Sequence, residues 1–273
     1  MKDKNAKILT LCYIVFFVFM TLASYDFEGV LSDILYCSAF ILPVVIGECY
    51  IAREGGERSF AILLPNARVP YVTLLFLAPS VAAVSLISFL TTLAINATTG
   101  ASDSVELVGS LFSRIATHAL APAILEEMLF RYLPYRLLRD YPTKTAVAVS
   151  AIAFSCAHFN LFRIPYALFG GVTFSLMLYL SGSIIPSALI HFINNLTSVV
   201  VLTYSDSSTV KIGVFVIYSL LLCLSLAIFV LKRNKIKSLF RSEFTENKKI
   251  GFPCEILLFA IPAIILAIIS LGG

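Results

Sequence analysis

The feature that most limits what this chain can become is its series of long apolar runs. They lie at 8–24, 30–52, 69–95, 107–138, 144–160, 164–181, 183–204, 210–231 and 254–271. A helix needs roughly 20 residues to cross the hydrocarbon core of a bilayer. Inside lipid every backbone N–H and C=O must find its partner within the protein, which for runs of this kind means helices. Composition agrees, with 59% hydrophobic and 13% charged residues and a mean hydropathy of +0.94 over 273 residues. A soluble core of this size needs far less apolar surface. The expected fold is all-α, a polytopic integral membrane protein with eight or nine transmembrane helices. The count turns on how 144–181 divides and on whether the last run spans.

The loops are short, with no repeat, soluble domain or low-complexity tract. By motif content the chain divides into N-terminal spans (1–106), a central set of spans (107–204) and a C-terminal part with a basic loop (205–273). The first run follows Lys2, Lys4 and Lys7 and resembles a signal peptide. No small-x-small cleavage site precedes Asp26 and Glu28, and it is read as an uncleaved first span. Cations favour the cytosolic side of short loops. Starting with the N-terminus cytosolic, alternation puts Arg53, Arg58, Arg68, Arg136, Arg139 and Lys144 on that side. The cluster Lys232, Arg233, Lys235, Lys237, Arg241, Lys248 and Lys249 joins them. Of the 20 Lys and Arg residues, only Arg114, Arg131, Arg163 and Lys211 depart from the pattern. The basic cluster also suits contact with anionic lipid. The cysteines Cys12, Cys37, Cys49, Cys156, Cys223 and Cys254 form no Cys-x-x-Cys pair, so neither a disulfide framework nor a thiolate metal site is expected. No nucleic-acid partner is expected.

Ionisable groups within membrane spans are costly and mark interior or functional positions. The stretch "AILEEMLFRYLP" (123–134) places Glu126, Glu127 and Arg131 among apolar residues. Glu127 and Arg131 are four apart, acid first, the better order for a helical ion pair. That spacing alone explains them as structural. Glu126 is turned about 100° away and is left to face something else. "AFSCAHFN" carries Phe154 and His158 at the same spacing, and "LIHFINNLT" carries His191 and Asn195. Depth estimates at about 1.5 Å per residue put Glu126, His158 and His191 within the hydrocarbon layer. His118, about two turns before Glu126 and across Pro122, is read as an interior histidine. Pro122 is expected to kink its span, and Asn194 is read as helix–helix glue.

A carboxylate beside an imidazole can hold and deprotonate water. A second imidazole and a carboxamide can donate hydrogen bonds to a developing oxyanion. Together these describe amide hydrolysis. Glu126, His158 and His191 are also a conceivable zinc set with a fourth position for water, although no His-Glu-x-x-His is present. No cofactor is favoured, and zinc is the alternative. A proton-coupled transporter, or a catalytically silent scaffold or immunity protein that binds a peptide or membrane sensor, would use the same polar cavity.

The three motifs, Glu126-Glu127-x-x-x-Arg131, Phe154-x-x-x-His158 and His191-x-x-x-Asn195, occur in order, each on an expected span. In this the chain resembles the CAAX protease and bacteriocin-processing family of intramembrane proteases, whose eukaryotic members are the type II CAAX prenyl endopeptidases. The resemblance covers about residues 110–200. It implies a helical membrane fold with a site open to the cytosol and to lipid. It implies Glu126 as general base, His158 holding the attacking water, His191 and Asn195 as oxyanion donors, and Glu127 and Arg131 as braces with Phe154. The implied substrate is a membrane-anchored, lipidated or small peptide. The implied location is a plasma membrane, prokaryotic by analogy with relatives tied to bacteriocin systems. Members have been regarded as metalloproteases, but the glutamate mechanism needs no metal.

Overall fold

The computed structural model describes residues 2–23, 30–55, 61–100, 109–244 and 252–269. Of these, 87% are helical, and no strand occurs among them. The Asp26–Glu28 turn, Arg58, residues 101–106, Lys248 and Lys249 lie outside the described residues. All six cysteines are free.

In chain order the helices are α1 (Lys2–Ala23), α2 (Val30–Arg53), α3 (Val69–Thr99), α4 (Leu111–Ile115), α5 (Ala121–Glu127), α6 (Leu133–Leu137), α7 (Thr143–Cys156), α8 (Ile164–Ser181), α9 (Ile185–Thr203), α10 (Ser208–Phe244) and α11 (Leu257–Ile269). Among the described residues six are long and apolar enough to cross a membrane: α1 over Lys4–Ala23, then α2, α3, α8, α9 and α10. The remaining expected spans take other forms. Helix α7 has 14 residues, about 21 Å at 1.5 Å per residue, against a hydrocarbon core of about 30 Å. Helix α11 has 13 residues. The run 111–137 carries too many charges to rank with the apolar six.

That charged run is interrupted twice by π-helical turns, at Ala116–Leu120 and Met128–Tyr132. Each ends on a five-residue hydrogen bond, from the Ala121 N–H to the Ala116 carbonyl and from the Leu133 N–H to the Met128 carbonyl. In both cases the next residue is a proline, Pro122 or Pro134. Proline brings no N–H, and in a tight helix its ring collides with the carbonyl four residues back. A widened turn ahead of the ring gives room for it. The expected kink at Pro122 therefore takes the form of a π turn, and Pro134 repeats the device. The carbonyl four residues before Pro134 belongs to Phe130, and it accepts a hydrogen bond from the Ser150 hydroxyl of α7. A backbone acceptor that proline cannot serve is thus satisfied by the neighbouring helix.

The chain forms two compact units, each drawn from separate stretches. The first comprises Met1–Phe60, Leu125–Val172 and Glu246–Gly273; the second comprises Ala61–Ile124 and Thr173–Thr245. These units cut across a division by motif along the chain.

In the first unit α1 packs against α2, and α11 against α1 and α7. Helix α1 buries Leu9, Cys12, Tyr13 and Phe16, the i, i+3, i+4, i+7 stripe of a packed face. Phe130 is the hub. Tyr13 stacks on it at 5.7 Å, and Phe16 and Phe154 meet it edge-on at 5.4 and 5.7 Å. Phe259 of α11 closes on Tyr13 at 5.5 Å. Helix α8 approaches α7 closely at Gly171, where a Cβ would lie 2.8 Å from the Ala151 Cα.

The second unit joins α3, α9, α10 and the Ala116–Leu120 turn. The Asn66 side chain donates to the Ser181 carbonyl at 2.9 Å, and the Ile184 N–H to the Ile62 carbonyl at 2.9 Å. These bonds pin the lead-in to α3 against the α8–α9 turn. Ser225 donates to the Leu74 carbonyl at 2.8 Å, and Arg114 to the Thr203 hydroxyl at 3.2 Å.

The Gly171 contact predicts the sign of two alanine substitutions. Alanine gains about 1 kcal/mol of helix propensity over glycine, but overpacking against backbone costs about 1–3 kcal/mol. Gly171→Ala is therefore expected to lower the melting temperature in detergent. Gly213→Ala, in α10 with nothing near its built Cβ, should leave the melting temperature unchanged or raise it. A rise for Gly171→Ala would show that α7 and α8 can separate freely there.

Candidate functional site

The charged face of the first unit is built on the second π turn. Arg131 is fully buried, with 0% of its side chain exposed, and Glu127 is 1% exposed. The Arg131 Nε lies 3.5 Å from the Glu127 Oε2. The guanidinium also lies over the Phe154 ring, with Cζ 4.0 Å from the centroid. A buried guanidinium needs both kinds of partner, because the weakly hydrated cation tolerates an aromatic face while its charge requires an anion. The charges of Glu127 and, less strongly, Glu126 act on Arg131, and Tyr13 of α1 lies near the guanidinium. Glu126 is half-buried, whereas its neighbour Glu127 is buried. The two adjacent carboxylates thus have different surroundings.

Phe154 links this ion pair to His158. The Phe154 and His158 rings meet edge-on at 5.0 Å. The spacing of four suggested one continuous helix through both, but α7 stops at Cys156 and His158 stands in the turn beyond it. The His158 N–H turns to the Ser155 carbonyl at 3.3 Å, so it does not serve the Phe154 carbonyl four residues back. The imidazole takes over, with His158 Nδ1 2.9 Å from the Phe154 oxygen. A carbonyl oxygen only accepts, so Nδ1 carries the proton in this contact. In the neutral ring Nε2 is then the acceptor. The histidine caps its own helix and fixes its own tautomer. The following residue, Phe159, has a φ of +47°. Its ring rests against Phe16 at 6.3 Å and Phe17 at 5.5 Å. Tyr166 of α8 approaches the other side of His158, its ring 6.2 Å away.

The second unit carries the third motif on α9. His191 is 4% exposed and stacks on Phe174 of α8 at 5.0 Å with 24° between the planes. Asn195, one turn further on, is half-buried. Thr197 reaches Tyr218 of α10, hydroxyl to hydroxyl, at 2.6 Å. His118 lies in the first π turn and is exposed, which corrects its reading as an interior histidine. The widened turn changes the angular phase that an unbroken helix would impose. Glu48, near the end of α2, forms an ion pair with Arg136 at 3.4 Å. Arg136 in turn donates to the Tyr132 hydroxyl at 2.8 Å.

Sequence reasoning did not single out Tyr13, Phe130, Phe174 or Tyr166, the aromatic groups around the charged pair and the histidines. The stripe spacing on α1 was the available signal for Tyr13. The others look like any apolar residue of a membrane span. Among the described residues no group of three or more His, Cys, Asp and Glu side chains is placed to hold a metal ion.

Residues 108–197 match the family described as Type II CAAX prenyl endopeptidase Rce1-like. The matched stretch contains the charged helix, both motif histidines and Asn195. No curated protein and no solved structure matches the chain.

The burial of Arg131 has a testable signature. Removing one partner of a buried ion pair strands the other and costs about 3–5 kcal/mol, whereas replacing both with apolar groups of similar volume is far better tolerated. Arg131→Met should therefore destabilise the protein strongly in a detergent unfolding titration. The double variant Glu127→Leu/Arg131→Met should recover much of that loss. Equal losses in the single and double variants would mean that Glu127 is not the partner that matters.

Proposed function

We propose that the protein is an intramembrane endopeptidase of the CAAX-protease type. It hydrolyses a peptide bond of a membrane-anchored, lipidated or small peptide substrate with a glutamate-activated water. The observation that carries this reading is the family match over 108–197, which spans all four residues assigned to the chemistry. The apolar helices suit a substrate that arrives within the bilayer.

Water is held by two acceptors, the Glu126 carboxylate and His158 Nε2, so that its oxygen lone pair faces the scissile carbonyl. The tautomer set by the Phe154 carbonyl supports this role. Glu126 takes a proton as the water oxygen bonds to the carbonyl carbon. The family resemblance assigns the His191 ring and the Asn195 amide as the donors to the resulting oxyanion. Collapse breaks the C–N bond, and Glu126 returns the proton to the leaving amine. The products are a carboxylic acid and an amine, which exchange a proton to leave a carboxylate and an ammonium. Glu127, neutralised by Arg131, keeps the helix in place without competing for the proton. The mechanism assigns no bond-making role to a metal. The working orientation puts the N-terminus and the basic end of α10 on the cytosolic side of a plasma membrane.

Glu126→Gln removes the base while keeping the shape. It should lower turnover of a membrane-anchored peptide by at least 10²-fold, within the range general-base catalysis supplies, and leave the melting temperature unchanged. Full activity in that variant removes Glu126 from the mechanism. Activity of the wild type should survive exhaustive chelation followed by dialysis. Loss on chelation, restored by zinc alone, would replace the glutamate scheme with a metal-bound water.

A further inference from the structure

The basic cluster that follows the span of α10 has no part in the chemistry above. Within α10 the backbone leaves helical geometry at Lys232 (φ −114°, ψ 15°). Before this kink the helix is almost wholly apolar, and Ser225 is its one buried residue. After it come Arg233, Lys235, Lys237 and Arg241, with Glu243 as the one acidic residue up to Phe244. Glu243 lies 3.9 Å from Arg68. The cations divide by position. Lys235 turns onto the Tyr71 ring of α3 at 5.5 Å. Arg233 and Lys237, one helical turn apart, line a cavity of about 560 Å³ together with Phe229, Asn234, Ile236 and Phe240. Ile236 is buried and anchors the segment.

We propose that this cavity binds the headgroup of an anionic phospholipid. Arg233 offers a planar fork of donors that matches two phosphate oxygens. Lys237 adds a point charge a turn away, and the Asn234 amide is a neutral donor beside them. The exposed Phe229, Val230 and Leu231 continue from the cavity onto the apolar span, where acyl chains belong. A soluble acidic peptide would fit the cations, but it would have to lay its backbone against Phe229 and the lipid-facing helix. A phospholipid meets both halves of the site at once. The inference does not depend on the protease reading.

The test is lipid retention by the full-length protein. Wild type would be reconstituted in nanodiscs of mixed phosphatidylglycerol and phosphatidylcholine, extracted gently, and its bound lipids counted by native mass spectrometry. Preferential retention of phosphatidylglycerol is expected. Arg233→Gln/Lys237→Gln should reduce that preference by roughly fivefold per cation removed. Arg233→Lys/Lys237→Arg, which keeps the charges, should retain most of it, and a matched Lys211→Gln control should not change it. All variants should elute as the wild type on size exclusion. Unchanged phosphatidylglycerol retention in the double Gln variant overturns the proposal. So does equal loss in the Lys211→Gln control. Displacement of the lipid by inorganic phosphate or by an acidic peptide at matched concentration would mean that the site reads soluble anions, and also overturns it.

Discussion

The first unit is organised around one buried cation. Arg131 carries a full charge at 0% side-chain exposure, and lipid offers no water to dilute the cost. The structure meets that cost from two sides. Glu127 supplies the countercharge and Phe154 presents its ring face. The two partners sit on different elements, so the guanidinium fixes α7 against the charged helix. The aromatic packing around Phe130 then excludes lipid from the same region. Moving α7 by a turn would take the Phe154 ring away from the guanidinium. That constraint accounts for the position of Phe154, and Phe154 in turn governs where His158 lies.

The two π turns show how sequence chemistry shapes this region. Proline is used here with a compensation beside it. The widened turn admits the ring, and Ser150 of the adjacent helix takes up the Phe130 carbonyl left over at Pro134. Glu126 and Glu127 share α5 ahead of the second π turn, and the ordinary step of about 100° between helical neighbours is enough to give them different surroundings.

Much of this architecture is legible from residues alone, and the parts that are not share a physical cause. The apolar runs become helices because lipid leaves the backbone few alternatives, and the i, i+4 spacing of Glu127 and Arg131 predicts their pairing. The alternation of cations predicts that Arg68 and the 232–241 cluster share one side. Within the second unit they meet, through Arg68 with Glu243 and Lys235 with Tyr71. The end of α7 at Cys156 is not visible in the sequence, since no glycine or proline marks it. It becomes visible only once the His158 ring is seen bonding its own helix. Hydropathy weighs a run by its apolar character and not by its helical length, and α7 and α11 are apolar but short. Hydropathy also cannot distinguish a phenylalanine facing lipid from one facing Arg131, so Tyr13 and Phe130 pass unnoticed. The charge pair inside the candidate site is predictable from spacing, while the aromatic surroundings that hold it require the fold.

The bond from Ser150 to the Phe130 carbonyl has a consequence for biogenesis. Released into the bilayer on its own, the segment that carries Phe130 would keep its Glu127–Arg131 pair but would lack the Phe154 ring and would show lipid an unserved backbone acceptor, which costs several kcal/mol there. The 111–137 segment is thus poorly suited to insert as an independent unit and associate afterwards. It is expected to be retained by the insertion machinery until α7 emerges and supplies the missing donor, so that integration and tertiary assembly of these two segments form one cooperative event.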